Sequence, residues 1–200
     1  MRTVTQTTTR RRVVLTLSAV VLVAVVGAVA FQTLGRADSR PSPPLPAVLP
    51  ASAVAYLPSH VSRLTTANLE KDADVPSMPA TLGRAGFVAG AQRTFQGPSK
   101  RRLQVVVSRT LRFSTSAGAS AYVRFVHDHA GAYVGDLPTL KPLTSSGRSG
   151  WLIVAPLCAC HMAQPDLLAV VSGERDVTWL MINGPGAKPA VLRALLERAP

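Results

Sequence analysis

Four side chains that bind soft metals stand within five positions, Cys158-Ala159-Cys160-His161-Met162. Thiolates, an imidazole and a thioether together suit Cu(I) or zinc. The C-x-C spacing is not that of a zinc finger. The chain holds 2 cysteines, so each is the other's only intramolecular partner, and an oxidising compartment would join them as a disulfide. Residues two apart in a straight strand have Cα atoms about 6.6 Å apart, near the upper limit of disulfide geometry. The bridge therefore requires a local turn, which Pro156 favours. A small structural bridge and redox or soft-metal handling are the two chemistries open to this segment.

A second cluster is cationic. Lys100-Arg101-Arg102 occupies the tip of an expected hairpin, with Arg93, Arg109 and Arg112 on its flanks. Arg93, Lys100, Arg101 and Arg102 are candidate contacts for anionic headgroups or acidic polymer. A solvated hairpin tip carries similar charge, so solubility alone also accounts for them. His127-Asp128-His129 falls on an expected helix, where positions i and i+2 lie about 200° apart and cannot share one metal. The 10 acidic residues include no pair spaced for general acid–base work. No Ser-His-Asp arrangement and no glycine-rich phosphate loop stands out, and Gly184-Pro185-Gly186 is not a phosphate-binding fingerprint. The sequence therefore predicts a non-enzymatic chain that needs no cofactor.

The elements that position these residues begin with a membrane segment. Residues 13–31 carry no charge and no proline. At 1.5 Å per residue nineteen helical residues reach about 28 Å, close to the ~30 Å hydrocarbon core. Arg2, Arg10, Arg11 and Arg12 precede the segment without an acid, so residues 1–12 should be a cytoplasmic tail and the rest should lie outside. That topology makes the membrane the first partner and excludes nucleic acid, which lies on the other side. Ala28-Val29-Ala30 offers the alternative of a signal peptide cleaved after Ala30, giving a secreted protein. Residues 32–50 are rich in proline and read as an extended linker.

Residues 51–200 remain as an extracytoplasmic domain. From residue 41 onward 16 basic and 9 acidic side chains leave a net charge of +7, which suits anionic lipid, an acidic envelope polymer or an acidic protein. Val61, Leu64 and Ala67 suggest a short helix, and Ala80 to Arg84 another turn. Phe87–Phe95 and Leu103–Phe113 read as a strand hairpin. Thr115 or Ser116 can cap a helix whose apolar face is Ala119, Tyr122, Val123, Val126 and Ala130, with Gly131 as its stop. Residues 135–150 read as a loop. Strands are expected at Trp151–Ala155, Leu167–Ser172 and Val177–Ile182, then a helix opened by Pro189. The two helix starts share Gly, Ala, Ala and Arg, which suggests a repeated hairpin-helix unit. The expected fold is α+β: an antiparallel sheet with two helices on one face.

The phrase Ala85-Gly86-Phe87-Val88-Ala89-Gly90, the run Leu111 to Ala119 and the closing sheet-then-helix resemble small exported α+β domains of actinobacteria. Some of these are envelope lipoproteins and others are sensor domains of receptor kinases. The resemblance covers about residues 85–200. It implies a non-catalytic envelope domain. The chain lacks the lipid-anchor cysteine of the first group and the widely spaced cysteine pairs of the second. A binding or scaffold module of the cell envelope is the expected function, with a redox or metal-handling protein using Cys158 and Cys160 as the alternative.

Overall fold

The computed structural model describes residues 43–200, apart from 73, 74, 76, 99, 101, 136 and 156–165. The chain forms seven strands: β1 (Ser59–Leu64), β2 (Phe87–Gln96), β3 (Val105–Phe113), β4 (Thr139–Ser145), β5 (Arg148–Val154), β6 (Leu167–Gly173) and β7 (Asp176–Asn183). They form one sheet in the order β1-β2-β3-β7-β6-β5-β4, and every neighbouring pair is antiparallel. The helices are α1 (Thr66–Asp72), α2 (Met78–Ala85), α3 (Ser116–Asp128), the single turn α4 (Gly131–Val134) and α5 (Pro189–Glu197). The protein is α+β, as the patterning implied.

The helices do not share one face, which corrects the expected arrangement. Val107, Leu111, Val170 and Trp179 point to one side, where Leu69 of α1, Leu82 of α2 and Tyr122 and Val126 of α3 cover them. Val106, Ala169, Leu180 and Ile182 point to the other, under Leu192 and Leu196 of α5, Val54 and Leu49. Leu167 to Val171 of β6 are buried one after another. A strand that is apolar on both sides requires cover on both. The hairpin-helix order does recur, but not as a symmetric repeat. A twofold axis normal to the sheet, the operation that would exchange antiparallel β3 and β7, would have left α3 and α5 on the same face.

Several local expectations also change. Residues 59–64 form the edge strand β1, where a helix was expected, and its burial pattern is open in four of six positions. The expected loop at 135–150 contains β4 and a tight hairpin. Ser146 (φ 51) and Gly147 (φ 75) give that two-residue turn its left-handed pair, which matches the twist of the strands it joins. Asp128 ends α3, and Gly131 starts α4 instead of stopping its predecessor. Two details hold: Pro189 opens α5, and the Thr115 hydroxyl accepts the Gly118 N–H at 3.0 Å as the cap of α3.

The folded unit starts at Pro43, inside the stretch expected to be linker. Leu49 is fully buried. Its N–H donates to Ser108 Oγ at 3.2 Å, and the Thr110 hydroxyl donates to the Ala47 carbonyl at 2.6 Å. Among the described residues no helix is long and apolar enough to cross a membrane; the segment 13–31 lies outside them.

At the far end of the sheet Arg148 fastens α5. Its Nη1 donates to the Thr178 hydroxyl at 3.1 Å and the Pro200 carbonyl at 2.8 Å, and its Nη2 to the Leu196 carbonyl at 2.8 Å. Burial lowers the Arg148 pKa from its ordinary value. A cation at the carbonyl end of α5 also opposes the helix dipole.

Candidate functional site

The cationic residues are distributed by the pleat. Gln92, Thr94 and Arg109 face the α3 side, and Arg93, Ser108 and Arg112 face the α5 side, because successive residues of a strand point oppositely. Arg109 thereby lands on an apolar face. It is accommodated by the ring of Trp179, 4.5 Å below its guanidinium, and by a 2.6 Å bond from its Nε to Gln92 Oε1. Arg112 is matched: its Nε and Nη2 reach the two carboxylate oxygens of Asp176 at 2.9 and 2.8 Å. That hydrogen-bonded carboxylate, by contact and by charge, raises the Arg112 pKa above its ordinary value.

The structure separates Arg93 from Lys100 and Arg102 among the candidate anion contacts. Lys100 and Arg102 stand exposed at the tip between β2 and β3. The Arg102 guanidinium lies 4.9 Å above the ring of Tyr56, whose hydroxyl accepts the Leu103 N–H at 3.2 Å. Arg93 lies within β2, where its Nη1 donates to Ser59 Oγ at 3.1 Å. Its Nε is buried without an acceptor. Arg101 lies outside the described residues, as do Cys158, Cys160, His161 and Met162.

Sequence reading missed how long the acid-free stretches that build this half of the molecule are. Val75 to His127 contains eight basic residues and no Asp or Glu, and 43–69 contains Arg63 and no acid. Those segments build β1, β2, β3, α2 and nearly all of α3. Within them Arg63, Arg84, Lys100, Arg102 and Arg124 are exposed. From residue 43 onward the acids sit elsewhere, at 70–74 and from Asp128 onward. The signal was available as a run-length count along the chain.

Two open grooves flank α3. One, of about 560 Å³, lies against α2 and is lined by Arg84, Ser114, Arg124 and Asp128. The other, of about 520 Å³, lies against β5 and holds Ser120, His127, Asp128, Ser149 and Trp151. His127 Nδ1 is 2.8 Å from Asp128 Oδ1, and its ring packs 4.1 Å from Trp151. No serine hydroxyl is hydrogen-bonded to His127 among the described residues, so nucleophile and base do not meet there. His129 turns away, with Nδ1 donating to the Phe125 carbonyl at 2.9 Å. The two histidines diverge as the helical spacing requires. No group of three or more His, Cys, Asp or Glu side chains placed to hold a metal occurs among the described residues.

No family model matches the chain, and no curated protein matches it. Among solved structures, the extracellular domain of PknH from Mycobacterium tuberculosis is similar at 14% identity, over 71% of this chain and 76% of that one, with a TM-score of 0.36.

Proposed function

We propose that the chain is a membrane-anchored binding or scaffold module of the cell envelope, whose basic half takes a partner bearing carboxylates or phosphates. The single observation behind the reading is the acid-free span from Val75 to His127, with its eight basic residues. Exposed Arg84, Lys100, Arg102 and Arg124 come from that span. Arg112 of the same span forms a bidentate pair with the Asp176 carboxylate. Like-signed charges held on a folded surface raise the local concentration of anions. The anchor is the uncharged run 13–31, which supports an outside location for the domain through the arginines before it. Binding, not catalysis, is the activity assigned.

The test uses the full chain reconstituted in zwitterionic nanodiscs. Capture of phosphatidylglycerol vesicles or of labelled polyglutamate, with no capture of zwitterionic vesicles, is the expected result. Equal affinity for neutral and anionic vesicles would refute the reading.

A further inference from the structure

We infer that the outer edge of β1 is a docking site for an extended, acidic segment of a partner protein, which adds to the sheet as a further strand. The inference rests on the basic-surface reading above and names the partner class. Among the described residues β1 pairs with β2 alone and forms one border of the sheet. The Gln96 N–H donates to the Pro58 carbonyl at 3.2 Å. Antiparallel partners alternate between hydrogen-bonded and non-bonded pairs. His60, Ser62 and Leu64 therefore spend their backbone groups on β2, and Ser59, Val61 and Arg63 turn theirs outward.

The two borders of the sheet are treated differently. On β4 Lys141 and Pro142 lie within the strand, with Pro142 opposite Trp151 at a position whose nitrogen faces outward. Proline and lysine on an edge prevent another strand from adding. β1 has neither, and its central Val61 is 45% exposed. The one edge blocked by its own sequence and the other left open point to β1 as the usable one.

Charge selects the occupant. Val61 lies opposite Arg93, and Arg63 opposite Ala91, so the outward-facing residues and Arg93 share one side of the sheet. Arg63 is exposed and donates from Nη1 to the uncharged Pro43 carbonyl at 3.3 Å, and Arg93 donates to Ser59 at 3.1 Å, so neither of these bonds is to a carboxylate. No acid occurs in 43–69 or 75–127. A strand with carboxylates at alternate positions would set one beside Arg63 while its backbone completes the ladder. A second copy of this chain would bring further cations and no carboxylate to this edge, since neither β1 nor β2 contains an acid.

The experiment uses the full chain in zwitterionic nanodiscs and a labelled, end-capped octapeptide alternating valine and glutamate, read by fluorescence anisotropy. Saturable binding is expected, and Val61→Pro should weaken it at least tenfold. The Val61 N–H does not serve β2, so the melting temperature should hold. Arg63→Glu should weaken the same peptide and favour its lysine-for-glutamate counterpart, which decides the matter if Val61→Pro fails to fold. Unchanged binding by folded Val61→Pro, or no peptide binding by the parent chain, would overturn the inference. So would a sedimenting dimer that Val61→Pro dissolves, since the occupant would then be a second copy. Capture of anionic vesicles without peptide binding overturns this inference alone; loss of both overturns the basic-surface reading as well.

Discussion

Replacing Arg148 by alanine should loosen α5 from the sheet. The guanidinium makes bonds of 3.1, 2.8 and 2.8 Å to Thr178, Pro200 and Leu196. Hydrogen bonds from a charged donor contribute roughly 1.5–3 kcal/mol each. The bond to Pro200 is exposed and water replaces it, and Arg148 itself is only partly buried, so the sum must be discounted. A net loss of about 2–3 kcal/mol is expected from the Thr178 and Leu196 bonds. For a domain of this size each kcal/mol lowers the melting temperature by ~2–4 °C, so the fall should be roughly 4–12 °C. Thermal unfolding of the full chain in micelles, followed by Trp151 and Trp179 fluorescence, measures it. Arg148→Lys should recover under half of the loss, because one ammonium cannot span three acceptors. A shift within about 1 °C for Arg148→Ala would refute the clamp.

Gly118→Ala should destabilise, against the usual gain of about 1 kcal/mol for that change in a helix. The new methyl would meet the Ala85 carbonyl oxygen where α2 crosses α3, a cost of roughly 1–3 kcal/mol in urea unfolding. Thr115→Ala removes the α3 cap and should cost about 1 kcal/mol by the same assay. Cys158 and Cys160 should be oxidised to each other in the mature protein. Alkylation without reductant, then mass spectrometry, should find no free thiol, and two alkylated thiols per chain would rule the bridge out. So short a loop constrains the unfolded chain little, so changing both to serine should leave the melting temperature nearly unmoved.

The elements legible in the sequence are those whose environment is one-sided. The 3.6 period of Ala119, Tyr122, Val123 and Val126 marked α3 because one face is buried and the other is wet. The alternation in Val105, Val107 and Leu111 marked β3 for the same reason. The two borders of the sheet escaped. β1 and β4 bury few side chains, so Ser59–Leu64 and Thr139–Ser145 carry little apolar signal, and Pro142 argued against a strand. The opposite faces of α3 and α5 were foreshadowed by the unbroken apolar run Leu167 to Val171, which an exposed face would have interrupted. At the basic surface, Lys100 and Arg102 were legible as a hairpin tip. Arg93 was not separable from them, because its attachment to Ser59 depends on β1, a strand that the pattern hides.

The central claim is that the basic half binds anions. Its most direct test is a salt titration of polyglutamate binding by the full chain in zwitterionic nanodiscs, beside a variant with Lys100, Arg101 and Arg102 all changed to glutamine. Screening shortens from a Debye length of ~10 Å at 0.1 M salt to ~3 Å at 1 M. Affinity should fall steeply over that range and more shallowly from a weaker start in the variant. Salt-independent binding, or identical titrations for the two proteins, would contradict the account.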